Sequence, residues 1–276
     1  MFVEKLRRRW AGHNTLLCVG LDPDLERFPE PLRQRKDAIF AFNRAIIDAT
    51  ADLVCAFKPQ VAHYSAYGAE DQLVATIDYI RREHPEVLVL LDAKRGDIGS
   101  TAEMYAREAF DRYQADAVTV NPYMGFDAVA PFLARSDKGV VVLCRTSNPG
   151  ARTFQDLPVE GKPLYLRVAE EAVLRWNQHG NVALAVGATY PAELRKLREL
   201  AGDVPFLVLG VGAQGASVID AVDNGLDSQG AGMLISTSRA VLYASIGADF
   251  ERAARGKALS LRDEINRARQ ARKLEV

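Results

Sequence analysis

The chain has 276 residues, 48% of them hydrophobic, which supports a sizeable core in one large domain or two small ones. Its 35 Lys and Arg nearly cancel its 36 Asp and Glu, so there is no global footprint for nucleic acid or an anionic membrane, and an anionic ligand must be met locally. No apolar run approaches membrane-spanning length.

Taken in chain order, the basic start, with Arg7, Arg8 and Arg9, reads as a solvated helix face. Only a short apolar segment follows and Glu4 interrupts the start, so neither a secretory signal nor a transit peptide is expected. Short aliphatic runs then recur at 16–21, 53–57, 87–91, 117–120, 140–143, 182–186, 206–209 and 233–235. Helical spacing of apolar residues fills intervals at 37–51, 70–82, 102–113, 164–177 and 192–200. Eight strand–helix units with strands too apolar for a half-solvated sheet predict a (β/α)8 TIM barrel, with a doubly wound open sheet as the competing fold. No low-complexity linker divides the chain, so residues 1–276 are expected to form a single barrel domain with an N-terminal helical extension. The Pro- and Gly-containing stretch 145–161 reads as a long loop after the fifth strand. The Arg-rich end, with Arg262, Arg267, Arg269, Arg272 and Lys273, has acidic residues interleaved and reads as another solvated face.

Cys18, Cys55 and Cys144 each sit in an apolar run, odd in number and without Cys-x-x-Cys spacing. They point to buried thiols in a reducing, cytoplasmic setting rather than to disulfides or zinc. The scattered His13, His63, His84 and His179 lack ligand spacing, so no metal site is expected.

The densest chemistry follows the third apolar run, where Asp92, Lys94, Asp97 and Thr101 crowd one strand-to-helix turn. Residues two apart on a strand share a face, as do residues four apart on a helix, so Asp92 and Lys94 form one pair and Asp97 and Thr101 another. Ser100 and Glu103 fit a capping box, which leaves the alternation of carboxylates and lysine unexplained and favours catalysis. Lys58 closes the second apolar run, where it either reaches solvent along its stem or joins a site. Asp22 before Pro23 and Ser147 within Thr146-Ser147-Asn148-Pro149 could each simply shape a turn. Gly210, Gly212 and Gly215, together with Gln214, follow the seventh strand, and Ser238-Arg239 follows the eighth. Backbone amides, a Gln amide and a guanidinium fork at these strands suit a phosphate clamp; a tight turn and a helix cap are the plainer alternatives. All of these residues fall at or beyond the carboxyl ends of predicted strands, where barrel active sites are built.

Asp92-x-Lys94-x-x-Asp97-Ile98-x-x-Thr101, with Gly20-Leu21-Asp22-Pro23, Phe57-Lys58-Pro59, the Ser147 loop, the Gly210 turn and Ser238-Arg239, resembles the orotidine 5′-phosphate decarboxylase family in its bacterial type 2 branch, in order along nearly the whole chain. Leu209 departs from the pattern, which has proline before the glycine turn. The resemblance implies cofactor-free decarboxylation of orotidine 5′-monophosphate to uridine 5′-monophosphate through a C6 carbanion. It further implies Lys94, Asp92, Asp97 and Lys58 as the catalytic network and Asp22, Thr101, Ser147, Gln214 and Arg239 as substrate-binding residues. The partners it implies are a small nucleotide substrate and a second copy of the chain, in a homodimer whose active sites share Asp97 and Thr101 across subunits. Sugar-phosphate lyases that share Asp-x-Lys-x-x-Asp are the rival; they carry a metal-binding glutamate where Lys58 stands. A non-catalytic nucleotide sensor is a third reading.

Overall fold

A computed structural model describes residues 1–211 and 215–274, the side chains of residues 273 and 274 excepted. Eight parallel strands close into a barrel: β1 (Leu17–Leu21), β2 (Ala56–Pro59), β3 (Leu88–Arg95), β4 (Ala117–Val120), β5 (Gly139–Arg145), β6 (Val182–Gly187), β7 (Phe206–Leu209) and β8 (Met233–Thr237). Each strand pairs with its sequence neighbour, and β8 returns to β1 with Leu17 opposite Ile235. Their residues are buried almost throughout because helices cover the outside and side chains fill the inside; each fully buried aliphatic side chain contributes about 1.5–3 kcal/mol.

The principal helices are α1 (Phe2–His13), α2 (Ala38–Thr50), α3 (Glu70–Glu83), α4 (Gly99–Arg107), α5 (Phe126–Leu133), α6 (Leu164–Glu170), α7 (Pro191–Ala201), α8 (Val218–Gly225) and α9 (Phe250–Leu274). Two helices expected to run on unbroken widen instead into π-helical turns, at Glu108–Arg112 after α4 and Glu171–Trp176 after α6. The stretch beyond β5 is more structured than a plain loop: it carries a one-turn helix (Arg152–Gln155) and a small hairpin pairing Pro158–Val159 with Lys162–Pro163.

Helix α1 packs beneath the barrel. Phe2, Leu6 and Trp10 are buried, and the Phe2 ring lies where a Cβ on Gly139 would approach within 2.6 Å, which is why β5 begins with glycine. The expectation of a solvated basic face fails at Arg9, which is only 2% exposed. Its Nε and Nη2 donate to the Val54 carbonyl at 3.1 and 2.8 Å, so the side chain points inward to satisfy backbone left open just before β2. Arg269 likewise turns in, donating to the Gly230 carbonyl at 2.9 Å. Among the described residues no helix is long and apolar enough to cross a membrane.

Candidate active site

The carboxyl ends of β1, β2 and β3 build a row of alternating charges. Strand β3 outlasts its apolar run by four residues, so Asp92 stays at the barrel rim, buried, with Lys94 beyond it. An isolated bridge between Gln60 and Asp92 keeps β2 alongside, so Lys58, near the end of β2, meets the same carboxylate. Lys58 Nζ lies 2.9 Å from Asp92 Oδ2, and Lys94 Nζ lies 2.6 Å from Asp92 Oδ1. The Lys58 and Asp92 side chains are 6% and 4% exposed, whereas that of Lys94 is 43% exposed and reaches toward the mouth.

Burial presses both members of the inner pair toward neutrality, but charge neighbours prevail. Against its own desolvation, Asp92 is held well below the usual carboxylate range by Lys58 and Lys94. Lys58, also desolvated, is held above an ordinary lysine by Asp92 and Asp22. The inner pair is therefore ionised, and Lys94 is the member of the row that faces solvent.

Around this row the strand ends bring further groups. Asp22 follows β1, and its Oδ1 is buried without a hydrogen-bond partner among the described residues, as is Ser238 Oγ after β8. Gly20 makes room for both: a Cβ there would come within 2.8 Å of Ser238 Cβ and 3.4 Å of Asp22 Oδ1. The Tyr243 hydroxyl ties the β1 and β8 ends together, donating to the Asp22 carbonyl at 3.1 Å and accepting from the Asp24 amide at 2.7 Å. Arg239 is exposed on the short helix Arg239–Leu242 that opens after Ser238. Gly210 turns the chain out of β7 with φ +92°, a conformation that suits glycine. Gln214, expected in the same turn, lies outside the described residues. Leu209, the departure from the family pattern, pairs with Gly187 at the end of the β6–β7 ladder.

Ser147 stands at the end of β5 against Gly187, where a Cβ would approach within 2.8 Å of Ser147 Cα. Its loop is held by groups the sequence reading passed over. Arg145, 1% exposed at its side chain, donates to the Thr146 carbonyl at 3.1 Å, pairs with Asp156 at 3.3 Å and stacks over the Tyr190 ring, its guanidinium carbon 4.1 Å from the ring centroid. Gln155 bonds both the amide and the hydroxyl of Thr146, at 2.8 and 2.9 Å. An arginine ending an apolar strand was the available signal, the same one that singles out Lys58. Asn121 Oδ1 accepts from the Tyr123 amide at 3.0 Å and starts the turn after β4.

Asp97 and Thr101 stand apart. Asp97 Oδ1 accepts from the Ile98 amide at 2.8 Å, and within this chain, among the described residues, neither lysine of the row bonds to it. Thr101 is exposed on α4. The capping box expected at Ser100 and Glu103 does not form: α4 starts two residues early, at Gly99, with Ile98 as a cap that has no side-chain bond, so Ser100 is already inside the first turn. Close by, Ile98, Met104, Tyr123, Met124 and Phe126 are all exposed apolar side chains, Tyr123 to 85%. Among the described residues no group of three or more His, Cys, Asp or Glu is placed to hold a metal ion.

Residues 15–254 match the pattern of the Orotidine 5′-phosphate decarboxylase / HUMPS family. The chain belongs to that family. It is 58% identical over 270 residues to the orotidine 5′-phosphate decarboxylase of Cellvibrio japonicus, covering 97% of this chain and 99% of that one. It is also 58% identical to the one from Ralstonia pickettii, over 97% of this chain and 99% of the relative. Among solved structures, the Leishmania donovani OMP decarboxylase superposes with a TM-score of 0.84 at 39% identity, over 97% of this chain and 98% of its own. A Toxoplasma gondii structure described as a putative orotidine-monophosphate decarboxylase gives 0.87 at 39%, over 97% and 96%.

Proposed function

We propose a division of labour among these residues for the reaction this chain carries out, the decarboxylation of orotidine 5′-monophosphate to uridine 5′-monophosphate in pyrimidine biosynthesis. The observation that carries it is the continuous Lys58–Asp92–Lys94 ion row in a chain of this family. When the bond from C6 to the carboxylate breaks, its electron pair stays on C6 in the ring plane, where the ring hardly delocalises it. A fixed ammonium beside C6 stabilises that charge and can supply the proton that replaces carbon dioxide. Lys94 takes both roles, being the cation of the row that faces the mouth, and solvent reprotonates it afterwards. Asp92 aims Lys94 and lies near the departing carboxylate; Lys58 keeps Asp92 ionised and, with Asp22, meets the ribose hydroxyls. Ser147 hydrogen-bonds the pyrimidine, and Arg239 with Gln214 and the glycine turn holds the phosphate. Binding energy from that remote phosphate assists the reacting centre as loops close. No metal or cofactor takes part.

Asp97 and Thr101 complete the row of the partner subunit in a two-fold homodimer. This is supported by their absence from the row of their own chain and by the exposed apolar side chains around α4 and the turn after β4, which a second copy would cover. The whole chain then works as one barrel domain, in the cytoplasm.

Loss of orotidine monophosphate, followed by ultraviolet absorbance, tests the assignment; turnover is expected with and without a chelator. Strict dependence on added magnesium would move the site to the sugar-phosphate lyase class. The shared site is tested by mixing Lys94→Ala and Asp97→Ala homodimers, each nearly inactive. With free exchange half the dimers are mixed and each contains one intact site, so about a quarter of all sites should recover. Verified exchange with no recovery would assign Asp97 to its own chain.

A further inference from the structure

We infer that Thr119 is a positioning residue that sets the backbone of Lys94 and the carboxylate of Asp92 with one hydroxyl. The ladder between β3 and β4 pairs Leu91 with Val118 and then Arg95 with Val120, so β3 spends four steps where β4 spends two. Such a bulge strands the amides of Ala93 and Lys94, and stranded amides at a barrel rim need other acceptors. Lys94 moreover takes φ +49°, a left-handed conformation that a long side chain adopts only when its surroundings hold it there.

Thr119, on β4 and 1% exposed, answers both needs. Its Oγ1 accepts from the Ala93 amide at 3.0 Å and from the Lys94 amide at 2.9 Å. With both acceptor directions taken, its proton goes to Asp92 Oδ1 at 3.0 Å, the same oxygen that receives Lys94 Nζ. One side chain thus fixes where the Lys94 backbone leaves the strand and where the anchor of its ammonium sits. The geometry is overdetermined at the atom that must lie beside C6, and displacement by even an ångström is costly to a reaction that depends on alignment. The hydrogen bonds of the Thr119 hydroxyl among the described residues go to Ala93, Lys94 and Asp92, on the lysine side of the site, so its effect should fall on the chemical step rather than on binding.

The inference rests on the reading of Lys94 and Asp92 as the chemical centre, and two variants separate it from mere packing. Thr119→Val keeps the shape and β-branching but removes the hydroxyl; Thr119→Ser keeps the hydroxyl and removes the methyl. The expected result is a kcat about 10- to 100-fold lower in Thr119→Val with KM and uridine monophosphate affinity within about twofold of wild type, and recovery to within a few-fold in Thr119→Ser. Activity is referred to sites counted by product titration, so a loss of folded protein alone leaves the value unchanged. Amide hydrogen exchange supplies an arm independent of turnover: the Ala93 and Lys94 amides should exchange at least about 10-fold faster in Thr119→Val, while the amides of β4 keep their protection. A wild type that turns over no orotidine monophosphate would sink the proposed function, whereas this exchange result would stand. Unchanged kcat per site, equal damage in both variants, or unchanged exchange at Ala93 and Lys94 would each overturn the role of Thr119.

Discussion

Below the barrel, where the strands begin, Arg9, Arg198 and Asn181 are buried with most of their donors on backbone carbonyls, Arg9 also reaching the half-exposed Glu86 at 3.3 Å; above it, where they end, Lys58 and Asp92 are buried against each other. Arg198 donates to the carbonyls of Gly225, Gly202, Val204 and Gly232 at 2.6 to 3.0 Å and lies 3.7 Å over the Phe206 ring. Asn181 Nδ2 reaches the carbonyls of Leu133, Arg135 and Lys138. Burial pulls the Arg198 guanidinium down to about 10, yet it remains charged at neutral pH with its donors occupied. The upper end is different in kind. Its outer ammonium has a single carboxylate oxygen for company, and Asp22 and Ser238 each hold an oxygen with no partner among the described residues. Neither buried charge nor one unpartnered atom marks a site by itself, since Asn181 Oδ1 at the lower end also lacks a partner among the described residues; ionised and unpartnered groups gathered at one set of strand ends do. The lower end locks termini and turns, while the upper end keeps bonding capacity for something not of the chain.

The sharpest way to break this contrast is to delete one cation at each end. Lys94→Ala should cut kcat by about 10⁴-fold or more, since it removes both the proton donor and the field at C6, while product binding and thermal stability change little. Arg198→Ala should do the reverse. Leaving four carbonyls short of a donor should cost about 3–4 kcal/mol, a fall in Tm of roughly 10 °C, with turnover per folded molecule unchanged. Kinetics and thermal unfolding on the same preparations read both. Loss of activity without loss of stability in Arg198→Ala would erase the distinction.

The same contrast explains what the sequence could and could not disclose. Strand cores were legible because both faces of each are covered, leaving unbroken apolar runs with little to confuse them. The extension of β3 through Asp92 to Arg95 was not, since charged residues break the hydrophobic pattern even where the backbone stays extended. Asp92 and Lys94 could be paired from local spacing alone, two residues apart on one strand. Lys58 was flagged as a cation ending a buried run, but its pairing with Asp92, and the bonds of Thr119, Arg145 and Arg9, come from barrel closure and leave no short-range trace. Thr119 in particular reads as an ordinary β-branched strand residue. At Ser100 a valid local capping pattern lost to a helix that began two residues sooner.

A smaller effect comes from pH at the upper end. Asp92 has a folded pKa below its unfolded value of about 3.9, so its contribution to stability is present above that value and is lost as pH falls. Lys58 has a folded pKa above its unfolded value of about 10.4, so its contribution is complete below that value and is lost only as pH rises further. Between these limits the pair is constant. The gap in unfolding free energy between wild type and the double variant Lys58→Met, Asp92→Asn, which leaves no desolvated lysine to titrate in its place, should accordingly be flat from about pH 5 to 9 and narrow by about 1 kcal/mol between about pH 5 and 3. Denaturant titrations across that range measure it, and a gap that drifts near neutrality would mean that the pair is not ionised as described.

The three thiols lie at different heights of the barrel, Cys55 just before β2, Cys18 within β1 and Cys144 near the end of β5, and report on whether it opens. Cys18 on β1 and Cys144 on β5 are both pushed up to about 12 by burial, and burial also raises Cys55 well above an ordinary thiol. Protonated and enclosed, none should react with an alkylating reagent at neutral pH while the chain is folded, and all three should react in denaturant. Slow labelling of the native protein then proceeds through opening. Where opening is fast relative to alkylation, the labelling rate follows the population of the open form. Arg198→Ala, less stable by about 3–4 kcal/mol, should label roughly 100-fold faster or more, whereas Lys94→Ala should label at the wild-type rate. Equal acceleration in both variants would mean that Lys94 also holds the barrel closed. In that case the two ends would differ in how many partners each buried charge has, and no longer in what the charge is for.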